Sequence, residues 1–144
     1  MKLKKIDYTA DEKYRELLPD GEYEAQYVSQ NDGFVMGQNR KLFVILKILE
    51  AGDHFGKKIM LVYNMPLNKR LAPSSKYYMD WMFLNGCKKP SRNARMSPKI
   101  FKNKRLLIKT RTVKPKRNGK EIMPKEFWYS VVDQIVEVLT GGAT

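Results

Sequence analysis

Apolar and polar residues alternate with a period of two over much of this chain, the spacing at which successive side chains of a β-strand point to opposite faces of a sheet. Glu22 to Ser29 sets Tyr23, Ala25 and Tyr27 against Glu22, Glu24 and Gln26. Arg40 to Leu49 sets Leu42, Val44, Leu46 and Ile48 against Lys41, Phe43, Ile45 and Lys47. Lys57 to Asn64 gives Ile59, Leu61 and Tyr63 a common face, and Lys104 to Val113 opposes Leu106, Ile108, Thr110 and Thr112 to Arg105, Leu107, Lys109 and Arg111. A last strand is predicted over Phe127 to Leu139, with a bulge at Asp133.

Between the strands the pattern changes. Thr9-Ala10-Asp11-Glu12 has the spacing of a capping box, predicting a short helix from Ala10 to Leu18 that Pro19 stops and that lids one end of the domain. Asn31-Asp32-Gly33 opens a polar loop running to Asn39, with Phe34 in its middle, and Gly52 to Gly56 reads as a hairpin turn. Ser74 or Ser75 can cap a helix through Leu84, closed by Asn85-Gly86, with Tyr77, Trp81 and Leu84 on one stripe. Lys114 to Lys120 reads as a long, flexible basic connector. The resulting order, three strands, a helix and two strands, is that of an OB-fold: a mainly β, five-stranded, partly open barrel with its helix between strands three and four. The expected organisation is an N-terminal extension over 1–18, an OB-fold domain over 19–139 and a disordered tail over 140–144.

Charge sharpens the picture. The net charge is +13, and residues 73–144 hold 16 basic against 5 acidic side chains, whereas residues 1–72 hold 12 against 10. Cys87 to Lys120 alone carries fourteen Lys or Arg and no Asp or Glu, with Ile100, Phe101, Leu106, Leu107, Ile108 and Val113 threaded among them. So dense a run points to a polyanionic partner, and its apolar residues tie the charges to a sheet, which a disordered polybasic tail would not need. No apolar run approaches the roughly 20 residues that span a bilayer, and no signal peptide is read, so a soluble, cytoplasmic protein without a membrane partner is expected.

Catalytic chemistry finds few residues to use. The one histidine, His54, falls among turn residues and reads as a solvated loop side chain, and the one cysteine, Cys87, reads as a small packed residue. Together they leave no zinc cluster, no disulfide and no nucleophile with a base. Gly52-x-x-x-Gly56-Lys57-Lys58 lacks the glycine spacing and hydroxyl of a phosphate loop. No catalytic residue, metal or cofactor is expected. The aromatics are more informative, because an unpaired base exposes a face on which Phe, Tyr or Trp can stack. Tyr23, Tyr27, Tyr63, Trp81 and Tyr129 are assigned to core packing, Phe101 and Trp128 fit either role, and Phe34 and Phe43 fit stacking. Phe43 is the sharpest candidate, since its strand has a complete apolar face without it.

Leu18-Pro-Asp-Gly-Glu-Tyr23 opening a strand, Asn85-Gly-Cys-Lys-Lys-Pro-Ser-Arg92 closing a helix, Met96-Ser-Pro-Lys-Ile-Phe-Lys-Asn-Lys104 entering the next strand, and Tyr129-Ser-Val-Val-Asp133 near the end carry a further likeness. Over residues 18–139 the chain resembles OB-fold single-stranded DNA-binding proteins of phages and mobile genetic elements. The resemblance implies a role in replication or recombination, coating exposed strands beside a polymerase, primase or helicase of the same element. It implies that the face of strands two and three carries the DNA. Bacterial housekeeping members end in an acidic tail; this chain ends Thr140-Gly-Gly-Ala-Thr144, so recruitment by that route is not expected.

The expected function is therefore single-stranded DNA binding with little sequence preference. Phe34, Phe43, Phe101 and Trp128 are the stacking candidates. Phosphate contacts are expected from Lys41, Lys47, Arg92, Arg95, Lys99, Lys102, Lys104, Arg105, Lys109 and Arg111, with Lys114, Lys116 and Arg117 gripping from the connector. An RNA-binding protein and a non-enzymatic subunit docking an acidic partner are the alternatives, and a small nuclease a weaker one. Oligomeric state is not legible in one chain.

Overall fold

The computed structural model describes residues 16–36, 39–66, 70–90 and 95–140; the side chains of residues 32–36, 39 and 140 are outside the description. The long strands are β1 (Glu22–Met36), β2 (Asn39–Ile48), β3 (Lys58–Met65), β4 (Arg105–Val113) and β7 (Tyr129–Thr140). The helix α1 (Lys76–Leu84) lies between β3 and β4, and a two-stranded ribbon, β5 (Lys116–Arg117) with β6 (Glu121–Ile122), lies between β4 and β7. The long strands close into a ring in the order β1-β2-β3-β7-β4 and back to β1. All ring pairings are antiparallel except the seam of β3 with β7, where Met60 lies beside Val131.

Closure explains which alternate residues are apolar. Leu42, Val44, Leu46 and Ile48 of β2, Ile59, Leu61 and Tyr63 of β3, and Leu106 and Ile108 of β4 face inward, each with at most 1% of its surface exposed. Burying a side chain of this size contributes about 1.5–3 kcal/mol. Val132 and Ile135 complete the interior from β7, which skips Asp133 in its pairing with β4. The bulge expected at Asp133 is thus present, and it keeps the apolar residues on both sides of it directed inward.

Two plugs close the ring. At one end α1 starts at Ser75, whose Oγ accepts the Tyr78 amide at 3.3 Å, and turns Tyr77, Trp81 and Leu84 inward. A short 3₁₀ turn (Pro98–Phe101) packs against it, the Trp81 indole donating to the Ser97 carbonyl at 3.1 Å. Phe101 enters the core from this turn, with its ring centroid 6.0 Å from that of Tyr63. The Tyr63 hydroxyl donates to Asp80 Oδ2 at 2.7 Å. Burial is the main cause that raises the pKa of both groups, and for Asp80 it outweighs the lowering by the Tyr63 hydrogen bond and the Lys76 ammonium. At the second plug Leu18 is buried, and its N–H and C=O bond the buried Ser130 hydroxyl at 2.8 and 3.1 Å.

Several expectations change. Residues 10–15 of the N-terminal helix fall outside the described residues, and Glu16 to Leu18 are not helical; the Glu16 carbonyl accepts the Ser130 amide at 2.9 Å. The loop expected after Asn31 is instead a continuation of β1, because register shifts at Tyr27/Ser29 and Asp32/Phe34 let the strand follow β2 through the glycine-bearing stretch. The basic connector is the β5–β6 ribbon, since Asn118 and Gly119, at φ 52° and 70°, take the paired left-handed turn that joins two antiparallel strands. His54 is half-buried rather than fully solvated: its Nδ1 is buried and its ring meets that of Tyr23 edge-on at 6.3 Å. Cys87 is exposed rather than packed. Tyr129 is not in the core cluster, because it pairs with Val113 on the outward side.

The Asp80–Tyr63 pair yields a stability prediction. Because the folded protein binds the Asp80 proton more tightly than the unfolded chain does, this group's contribution to stability is full below the ordinary value of 3.8 and is lost as pH rises through the raised folded value. Asp80→Asn should therefore gain on the native protein as pH increases, in urea titrations run from pH 4 to 7. Asp80→Ala, which strips the Tyr63 hydroxyl of its acceptor, should cost about 1–3 kcal/mol.

Candidate nucleic-acid interface

The outward positions of the sheet form continuous rows, because cross-strand partners in an antiparallel sheet point to the same side. Asn31, Phe43 and Val62 make one row across β1, β2 and β3. Ser29, Ile45 and Met60 make the next, which continues to Val131 of β7 and Arg111 of β4. Gln26, Lys47 and Lys58 make a third, and Lys41 lies beyond Phe43 on the other side, its ammonium donating to Asn64 Oδ1.

This face is apolar in the middle and cationic at its edges. Ile45 and Val131 retain only 4% and 7% exposure although they point away from the interior, so the outward side chains cover one another. Phe43 is half-buried and lies outside the core cluster, between Lys41 and Lys47 on its own strand. The β2 face thus unites Lys41, Phe43 and Lys47 as expected, and adds Lys58, Met60, Val62 and Val131. Three of them had a signal in the sequence: Lys58, Met60 and Val62 are the positions that alternate with the inward residues of β3. Phe34 occupies the register position opposite Lys41, but its side chain is outside the described residues.

The remaining expected contacts disperse into three groups. On β4, Arg105 is ion-paired with Glu24, Lys109 lies across from Glu22, and Arg111 Nε is 3.4 Å from Asp133 Oδ1. Acidic neighbours on β1 and β7 therefore offset much of the cationic face expected of this strand. Arg95, Lys99 and Lys102 are exposed along the loop that packs against α1, and this loop reaches β1 where the Lys104 carbonyl accepts the Tyr27 amide at 3.1 Å; Arg92 lies outside the described residues. Lys114, Lys116 and Arg117 are exposed on or beside the ribbon.

Two aromatic assignments resolve in opposite ways. Phe101 cannot stack on a base: it is 0% exposed, because the space between Tyr63 and the 3₁₀ turn is filled by its ring. Trp128 is half-buried, its indole donating to the Met123 carbonyl at 2.8 Å while the Lys114 ammonium sits 4.5 Å from its ring centroid. Among the described residues no cluster of His, Cys, Asp and Glu could hold a metal ion, and no helix is long and apolar enough to cross a membrane.

Comparison with known proteins adds no relative: no family model matches the chain, and no curated protein or solved structure is significantly similar to it.

The two faces of β2 should separate in denaturation experiments. Leu42→Ala opens the interior and should cost about 2–5 kcal/mol. Phe43→Ala, on the outer face, should cost clearly less in the same urea titration, which makes it a usable probe of binding.

Proposed function

We propose that this protein is an OB-fold protein that binds single-stranded DNA with little sequence preference, serving replication or recombination of a phage or mobile element. The observation that carries the reading is the outward face of β2 and β3, where a half-buried phenylalanine and its apolar neighbours are bordered by Lys41, Lys47 and Lys58. The closed five-stranded ring with a helix between β3 and β4 supports the fold assignment.

Each part of the face has a task in such a complex. A base unstacked from its neighbours loses its apolar contacts to water, and the ring of Phe43 together with Val62 restores them. The ammonium groups of Lys41, Lys47 and Lys58 neutralise phosphates on either side, and Arg111 extends the charge along the row through Val131. Stacking does not distinguish one base from another, which accounts for the lack of sequence preference. A duplex, whose base faces are already stacked, gains nothing from this surface.

Titration of labelled oligo-dT at several salt concentrations tests the reading. With about five phosphates neutralised, log affinity against log salt should fall with a slope near −3.5, and Phe43→Ala should remove about 1–3 kcal/mol of binding. Blunt duplex should bind more weakly than oligo-dT, and competition with a matched RNA oligonucleotide separates DNA binding from RNA binding. A flat salt response, or full affinity in Phe43→Ala, would overturn the proposal.

A further inference from the structure

The β5–β6 ribbon is not needed to close the ring, and its composition departs from a simple turn. Lys114, Lys116, Arg117, Lys120 and Lys125 are all exposed within this one excursion, against Glu121 and Glu126. Its shape is held independently of the charges. The Met123 amide donates to the Pro115 carbonyl at 2.8 Å, the Lys120 amide to the Arg117 carbonyl at 3.1 Å, and the Trp128 indole to Met123. The Asn118-Gly119 turn fixes the tip. Two large apolar side chains also stand in water here, Ile122 at 55% and Phe127 at 53% exposure.

We infer that this ribbon is a docking element for double-stranded nucleic acid, so that the protein binds at junctions where a duplex opens into a single strand. The inference rests on the single-strand reading of the β2–β3 face and extends it. A two-stranded β-ribbon is one of the two elements that the major groove of a duplex admits, and a rigid ribbon with its charges displayed suits a regular array of phosphates. A flexible single strand makes no demand for such rigidity. An exposed phenylalanine beside the charges gives the terminal base pair of the duplex an apolar surface to cap. Position supports the same conclusion: the excursion leaves β4 after Val113 and re-enters β7 at Tyr129, two pairs beyond the Arg111–Val131 pair that continues the single-strand face. A strand lying across Phe43 and Met60 toward Arg111 therefore leads to the base of the ribbon.

The test compares oligo-dT with a duplex carrying the same oligo-dT as a tail, titrated with the full chain at several salt concentrations. The native protein should bind the tailed duplex several-fold tighter, and three further phosphates should steepen the salt slope by about 2.7. Combined Lys120→Ala and Lys125→Ala, at exposed positions of the excursion outside the expected single-strand contacts, should reduce that difference and leave oligo-dT affinity unchanged; Phe127→Ala should lower affinity for the tailed duplex alone. Equal affinity of the native protein for the two probes overturns the inference, as does a double variant that weakens both equally, which would place the ribbon on the single strand. Loss of oligo-dT binding by the native protein itself would instead sink the reading of the β2–β3 face.

Discussion

A five-stranded ring has an interior wide enough for one set of side chains, and that limit organises the rest of the molecule. Every strand that joins it must turn alternate residues inward and make them apolar, and the intervening residues are then committed to the outside wherever they fall in the sequence. Leu42, Val44, Leu46 and Ile48 satisfy the inward half on β2, which leaves Lys41, Phe43, Ile45 and Lys47 as an outer face by necessity. The ring is sealed at its ends by side chains rather than by more strands. Tyr77, Trp81 and Phe101 fill one end and Leu18 the other, so the outer sheet needs no further covering element to be stable.

Closure also converts positions that are distant in the chain into neighbours. The β3–β7 seam puts Met60 beside Val131, and through it joins the β2 face to Arg111, whose own strand is paired on its other side with β1. Without that parallel seam the outer face would end at β3, and Arg111 would belong to a separate surface. The bulge at Asp133 contributes to the same junction: it supplies a carboxylate 3.4 Å from Arg111, so the guanidinium is held at the end of the row by its own strand neighbour. The ribbon excursion is less evenly balanced, with Lys114, Lys116, Arg117, Lys120 and Lys125 against Glu121 and Glu126.

The distribution of acids explains why a strongly basic chain does not present a uniformly basic surface. Glu22 and Glu24 meet Lys109 and Arg105 across the β1–β4 pairing, so the densest stretch of cations in the sequence is in part neutralised by the first strand. Further cations border the β2–β3 face, line the loop beside α1 and stand on the ribbon, where Glu121 lies across from Arg117. Under the proposed single-strand reading, such a division suits a partner that runs over the surface rather than one that sits in a single pocket.

Local rules in the sequence determined the strands, because a period of two survives any tertiary arrangement: β2, β3, β4, α1 with its Ser75 cap, and the Asp133 bulge were all legible from alternation and end signals. Phe43 was legible too, as an aromatic on the wrong side of a strand whose apolar face was already complete. What alternation cannot express is how strands meet, and there the tertiary structure decided. Phe101, between lysines, fitted either core or surface, and the gap left beside Tyr63 drew it fully into the core. The cations of β4 looked free until pairing set glutamates across from them. The glycine-bearing stretch after Asn31 and the Asn-Gly of the basic connector read as loop because loops and strand turns use the same residues. Only hydrogen bonding to a neighbouring strand distinguishes the two, and a neighbour remote in sequence leaves no local trace.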